Sequence, residues 1–443
     1  MASMNETRPL EEGLALLRRL PDKIFNLFAA AGSVGTKRGE RTYLVGGVVR
    51  DLVLGAPNLD VDLVVEGDAL KSALAMQRRF GGDVVAHVRF KTATWRLGQS
   101  AFSNAEGLNS LASIDFITAR RETYAQPGAL PGVEPGTIAD DLARRDFTIN
   151  AIAILLDDAR TGKLLDPFGG LRDLREGSIR VLHDQSFGDD PTRIFRAVRY
   201  EQRLDFRIEP HTQALIAPAL EILARVSGER IWHELMRIGA EGLPERSFRR
   251  LEALGVLRAI DSGLELSPAL EADIAKLREV LAVPDPFTYF ATLAARLPVR
   301  AARALEERLH LTNAQRTFVA QLQRALVLEA ELGDPAFKTS AIVRLLDPLD
   351  EDVLRIAQVL VNSERARERI AHFRTHWREL KPLLDGKRLQ QLGIVPGPIY
   401  RQILDAVRSA HLDAEISGSE DAEQLALALA NHASRRSNDH TGN

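Results

Sequence analysis

The chain has 443 residues, 45% of them hydrophobic and 27% charged, with a formal net charge of −3 and no cysteine. That length exceeds one ordinary core and calls for two to four domains of soluble, globular type. Disulfides, thiolate nucleophiles and cysteine-ligated zinc are excluded, and no run of about 18 apolar residues offers a membrane span.

The opening stretch MASMNETRPLEEG has no apolar stretch of the kind a secretory signal carries. With the missing cysteines, this fits a cytoplasmic protein. Residues 11–31 follow with the pattern of one amphipathic helix. From Thr42 to about Asp166 short apolar runs take over: YLVGGVV, VDLVVEG, DVVAHV, TATWRL, SIDFITAR and INAIAILL. They are rich in Val, Ile and Thr and are separated by turn residues, which predicts a small sheet with interspersed helices. The segment Ala125 to Thr137 reads as a long loop without apolar periodicity, a type often functional. Beyond about Asp189 the period is helical almost to the end, and SRRSNDHTGN reads as a frayed terminus. The fold class is therefore α+β: a small mixed sheet in an N-terminal head, then an all-α remainder. No internal repeat is visible.

Bulk charge gives no basic excess, so any polyanion site must come from local segregation of charge. The segment YLVGGVVRDLVLGAPNLDVDLVVEG is the most informative. A strand runs into Gly46-Gly47, and a helix begins there. Glycines at such a turn let the backbone approach a phosphate, and helix N-terminal amides favour an anion. Twelve residues separate Gly47 from Asp60. Asp60 and Asp62 are i and i+2 on a predicted strand, so both carboxylates point to one face. Side by side they repel unless a cation lies between them. Hard oxygen donors with room for water suit Mg2+, and two such ions activate an attacking hydroxyl and stabilise leaving pyrophosphate. Asp115, on another predicted strand, is either a third carboxylate of this group or an ordinary strand start.

Downstream, RRDFTINA brings Arg144 and Arg145 together with Asp146 and Asn150. Guanidinium forks suit phosphate and ribose oxygens; a capped helix start with solvated charges is the plainer alternative. In DDPTRIFRAVRYEQRLDF, Asp190 followed by Pro191 predicts a helix start. Arg193, Arg196 and Arg199 then recur every three residues on the side that carries Asp190, with Ile194 and Val198 opposite. An Asp accepts from the amino group of cytosine or adenine and an Arg donates to a ring nitrogen or carbonyl. The pair thus has the means to read a base without a nucleic-acid template.

In the second half, Arg365, Arg367, Arg369, Arg374, Arg378, Lys381, Lys387 and Arg388 exceed nearby acids by five. With Phe373 and Trp377 they offer an RNA-tracking face or a solvated helix surface. His372 and His376 have i, i+4 spacing, but Phe373 stands where a zinc-protease helix needs Glu.

The Gly46-Gly47 and Asp60-x-Asp62 combination resembles the signature of the DNA polymerase beta-like nucleotidyltransferases. The GGVVRD form, RRDFTINA, DPFGGLRDLREGSIRVL, the D-P-x-R-x-x-R-x-x-R run and SGERIWHEL resemble the class II branch of tRNA nucleotidyltransferases and poly(A) polymerases. This resemblance covers roughly Thr42 to Leu235. It implies an N-terminal helix at 1–35, a catalytic head at 36–178, a base-reading neck at 179–245, a body at 246–384 and a tRNA-binding tail at 385–443. It implies that Asp60 and Asp62 hold Mg2+ with Asp115 as catalytic neighbour. Gly46, Gly47, Arg50, Arg144, Arg145, Asp146 and Asn150 meet the nucleotide, and Asp190 and Arg193 act as protein template. Arg196 and Arg199 contact phosphate or stabilise the neck, and Glu229 and Arg230 brace it. The partners implied are tRNA, ATP and CTP, with no membrane; the sequence leaves the oligomeric state open. The favoured activity is CCA addition. An A-adding enzyme, a poly(A) polymerase and a catalytically silent RNA-binding protein are the alternatives.

Overall fold

The computed structural model describes residues 4–56, 60–88, 91–97, 111–123, 128, 132–158, 161–282 and 284–439. The chain forms two compact units, residues 1–262 and 263–443. In the first, seven strands make one mixed sheet: β1 (Arg41–Val45), β2 (Val61–Glu66), β3 (Asp83–His87), β4 (Thr92–Arg96), β5 (Ser113–Thr118), β8 (Ala153–Leu155) and β9 (Leu164–Leu165). Their order is β3-β4-β5-β2-β1-β8-β9. Only β2 and β5 pair in parallel, with Asp62 level with Asp115; the other neighbours are antiparallel. The central strands are apolar on both faces because both faces are covered. Tyr43, Val45 and Val64 pack with Ile138 and Leu142 of the helix Ile138–Ala143 and with Ala151 and Ala153. Asp60 and Asp62 alternate in phase with Val64, so they lie where that covered face opens.

The single opening helix expected over 11–31 is two: α1 (Met4–Leu17) and α2 (Asp22–Lys37). Pro21 lies between them and has no N–H to continue the ladder. Part of the expected loop at Ala125 to Thr137 is a strand, since Gly132–Pro135 (β7) pairs antiparallel with Arg120–Thr123 (β6). Every residue of β7 is exposed, so it shows no apolar alternation to read; residues 124–127 and 129–131 lie outside the described residues. The C-terminal stretch expected to fray is helical through Asp439.

The second unit is helical among its described residues, from Pro268–Val280 to Ser419–Asp439. Leu384, Leu389, Ile394, Ile403, Val407, Ala422 and Ala426 form one of its cores. Much of its basic cluster bonds internally. Arg374 and Arg378 donate to Glu351, Arg388 to Glu423, and Arg369 to the carbonyls of Leu332, Asp334 and Phe337. His372 and His376 stack on each other, ring centroids 4.3 Å apart. No described helix is long and apolar enough to cross a membrane.

α2 reaches the sheet edge through Gly32, where a Cβ would lie 1.2 Å from the Leu156 carbonyl oxygen. Gly32→Ala must therefore push helix and strand apart. It is expected to lower stability by about 1–3 kcal/mol, read as a fall in the thermal unfolding midpoint.

Candidate active site

The Gly-Gly turn has a steric and a conformational cause. Gly46 has φ 73°, a backbone that side chains rarely adopt, and a Cβ there would meet Arg145 Nη1 at 2.4 Å. The helix α3 (Gly47–Leu54) starts at the next residue. One turn on, Arg50 is buried, 5% exposed. Its Nε donates to Asp51 (2.8 Å) and its Nη1 to Asn150 Oδ1 (2.9 Å), while its guanidinium lies 5.0 Å from the centre of the Tyr200 ring. Arg50 is thus locked between the turn, the RRDFTIN segment and a helix 150 residues away.

The acidic edge lies across the cavity floor. Asp60 is exposed and Asp62 half-buried, both lining the cavity. Desolvation pushes the Asp62 carboxyl up to about 6; Arg145 opposes that rise, and Asp60, Asp115 and Asp141 add to it. A carboxyl burdened by like charges is one that a cation relieves. Asp115 does not line the cavity; it accepts from Thr94 Oγ1 at 2.6 Å. Among the described residues no group of three or more His, Cys, Asp or Glu side chains forms a closed cage. The donors fit a hard cation that keeps some of its water and takes the rest of its oxygens from a ligand.

The RRDFTIN segment makes the facing wall. Asp141, fully buried, accepts from Arg144 Nε and Nη2 (2.9 and 2.7 Å) and from Arg145 Nη2 (3.0 Å). Arg144 also donates to Glu122 (3.2 Å), and Arg145 Nη1 to the Asn150 carbonyl (3.3 Å). Asp146 accepts from Asn150 Nδ2 and from Arg196 Nε, at 2.9 and 2.7 Å. Burial pushes the Asp146 carboxyl up, but the Arg196 charge and these hydrogen bonds outweigh it and hold the group below its ordinary range.

The third wall is the helix Arg193–Arg203. Its regular part begins later than Asp190-Pro191 suggested. Asp190 does cap the turn, its Oδ1 accepting from Thr192 N (3.0 Å) and Oγ1 (2.6 Å). The first turn is tighter, with Arg193 N bonded to the Asp190 carbonyl. Arg230 Nη2 donates to the same Oδ1 at 2.7 Å, and its Nη1 to the Gly128 carbonyl at 2.8 Å. Asp190 Oδ2 has no protein partner among the described residues. Arg193 is buried and donates to the Arg144 carbonyl at 2.9 Å. Arg199 donates to Glu234 and Glu241. Ile194 and Val198 are fully buried on the other side.

These walls enclose a cavity of about 900 Å³ lined by ten arginines and seven carboxylates. It gathers Gly47, Arg50, Asp60, Asp62, Arg144, Arg145, Asp146, Asn150, Asp190, Arg193, Arg196 and Arg199; Gly46 stays behind the wall. Tyr200, Glu122, His233, Glu234 and Arg237 also line it and were not singled out in the sequence. Asp141 was missed too. Its signal was present in the i+3 and i+4 spacing to Arg144 and Arg145.

Residues 42–180 match the family of the poly A polymerase head domain, and residues 205–266 match a family described as a probable RNA and SrmB-binding site of polymerase A. The A-adding tRNA nucleotidyltransferase of Halalkalibacterium halodurans is 37% identical over 421 residues, 92% of each chain. That of Geobacter sulfurreducens is 35% identical over 94% of this chain, which spans 48% of that relative. A solved CCA-adding enzyme in its apo form II superposes with TM-score 0.80 at 32% identity, covering 94% of this chain and 98% of its own. With the cavity, the sheet and these likenesses in agreement, the chain belongs to the tRNA nucleotidyltransferase family of enzymes.

Proposed function

We propose that the enzyme builds the C-C-A end of tRNA from CTP and ATP without a nucleic-acid template, using Mg2+ and releasing pyrophosphate. The observation that carries this is the cavity, whose lining brings Asp60 and Asp62, a wall of arginines and Asp190 together. Solved CCA-adding enzymes of this fold include complexes with tRNA, ATP and CTP. Enzymes of the family use divalent metal ions. Asp60 and Asp62 would hold such an ion, which would supply activation of the attacking hydroxyl and charge relief for the leaving pyrophosphate.

The chain's own residues supply the rest. The amides at the Gly46-Gly47 turn and the guanidinium groups of Arg50, Arg144 and Arg145 hold the triphosphate. Asp146 and Asn150 meet the ribose. Asp115, level with Asp62, adds negative charge at the acidic edge and serves as the third carboxylate. Asp190 Oδ2 accepts from the amino group that cytosine and adenine both carry on their pairing edge, while Arg193 supplies the donor. The tRNA 3′ oxygen then bonds to the α-phosphorus as the bond to pyrophosphate breaks. Both this reading and the next place the enzyme in the cytoplasm with its tRNA.

A second reading is A addition alone. The two relatives that align over 92% and 94% of this chain are A-adding enzymes. The two readings share ATP and the C-C end and differ in CTP. tRNA trimmed to end before the first C, after C and after C-C, each offered CTP or ATP, separates them. The proposal expects CTP incorporation into the two shorter substrates and ATP only into the last. CTP refusal throughout establishes A addition, and long A tails on any RNA establish poly(A) synthesis.

The double variant Asp60→Ala, Asp62→Ala is expected to fold and lose all transfer on every substrate. A folded variant with full incorporation would sink the mechanism.

Asp146 supplies a stability test. Its folded carboxyl titrates below the unfolded one. Its contribution is therefore complete above the ordinary carboxylate range and is lost as pH falls through the folded value. Arg196→Gln leaves Asp146 buried without its cation. It is expected to cost about 3 kcal/mol at neutral pH and to move acid unfolding, followed by circular dichroism, to higher pH.

A further inference from the structure

Asp141 has no part in the assignments above, yet it is the most completely buried carboxylate beside the cavity wall. The helix Ile138–Ala143 that carries it is fixed by a capping box of Thr137 and Asp140. Spacing of i+3 and i+4 brings Arg144 and Arg145 to it, one carboxylate oxygen for each guanidinium. Arg145 lies at a crossing of attractions. It donates to Asp141 and to the Asn150 carbonyl, its Nη1 fills the space that a side chain at Gly46 would take, and it lines the same cavity as Asp60 and Asp62. Its Nε is buried with no partner among the described residues. The guanidinium is therefore held by a few bonds on a cavity that two further carboxylates, Asp60 and Asp62, also line.

We propose that Asp141 is a positioning residue that clamps Arg144 and Arg145 along the cavity wall and keeps Arg145 off the Asp60 and Asp62 edge, leaving that edge open to a divalent cation. Without Asp141, Arg145 would have no carboxylate holding it to the wall and could turn toward the edge that lines the same cavity. A guanidinium there would neutralise the two carboxylates that the cation needs and would leave the wall where a triphosphate is held. One missing carboxylate then weakens two ligands at once. The inference rests on reading the acidic edge as a cation site and the cavity as a nucleotide site.

The test uses the full chain. Mn2+ binding is read by electron paramagnetic resonance without tRNA or turnover, and KM for ATP is read on tRNA ending in C-C. Asp141→Asn is expected to weaken Mn2+ binding and raise KM for ATP, each about tenfold, the range for residues that support metal ligands. KM for tRNA stays at the wild-type value. Combining Asp141→Asn with Arg145→Gln recovers Mn2+ binding but not KM for ATP, because no guanidinium is left to occupy the edge. A merely structural Asp141 would lower thermal stability and leave both readouts in place, which overturns the proposal. So does a double variant that fails to recover Mn2+ binding. Should Asp141→Asn not fold, Arg145→Lys probes the clamp from the other side. A lysine cannot span Asp141 and the Asn150 carbonyl, so KM for ATP rises, and a wild-type KM overturns the proposal. A wild-type chain that binds no Mn2+ and transfers no nucleotide defeats the underlying reading instead, a result distinct from variants that match an active wild type.

Discussion

The guanidinium of Arg145 against the bare Cα of Gly46 is the contact on which the cavity depends. A Cβ at Gly46 would meet Nη1 at 2.4 Å, so the turn that begins α3 and the wall that carries Arg144 and Arg145 approach only because that side chain is missing. The approach brings the Asn150 carbonyl to Arg145 and the Asn150 amide oxygen to Arg50. Arg50 in turn meets the Tyr200 ring on the helix Arg193–Arg203. Three segments far apart in sequence are thereby fixed around one space, and a change at the turn reaches the arginine helix through two hydrogen bonds and one ring contact.

Charge balance explains why such a space stays open. Ten arginines line it, but most are already bound to carboxylates or carbonyls of the chain. Arg196 is held by Asp146, Arg199 by Glu234 and Glu241, Arg230 by Asp190. Guanidinium groups held in this way cannot collapse across the cavity, and an arriving polyanion meets donors already oriented. Asp60 and Asp62 are less balanced than the other carboxylates of the lining. Burial pushes the Asp62 carboxyl up, and the charges of Asp60, Asp115 and Asp141 add to that rise against Arg145. Preorganised donors on one wall and an under-neutralised acidic edge on the other suit a ligand that brings both phosphate and cation.

What was legible in the sequence was what repeats within one element. The Gly-Gly turn, the Asp60-x-Asp62 alternation and the three-residue arginine spacing follow from the geometry of a turn, a strand and a helix. What was not legible was pairing between elements. Tyr200 over Arg50 and Glu122 on Arg144 depend on which strands and helices become neighbours. β7 was hidden because an exposed two-stranded ribbon leaves no apolar alternation. The opening pair of helices was read as one because their apolar periodicity runs on while Pro21 breaks the backbone. The basic cluster of the second unit was read as an excess of five because its partners Glu351 and Glu423 lie outside the window counted.

If Asp190 reads the base as proposed, its arrangement lets a protein stand in for a template. A nucleic-acid template pairs with one base; here one carboxylate oxygen of a cavity-lining Asp is fixed by Thr192 and Arg230, and the other has no partner among the described residues. A single fixed acceptor cannot tell cytosine from adenine, since both present an amino group. On the proposed reading it rejects uracil and guanine, which present a carbonyl at the corresponding position and would set two acceptors face to face. Discrimination between the two accepted bases must then come from how far the acceptor stands from the wall that holds the triphosphate. Arg230 joins Asp190 to Gly128, and Arg193 joins the same turn to the Arg144 carbonyl, so that distance is governed by the two arginines that hold the turn.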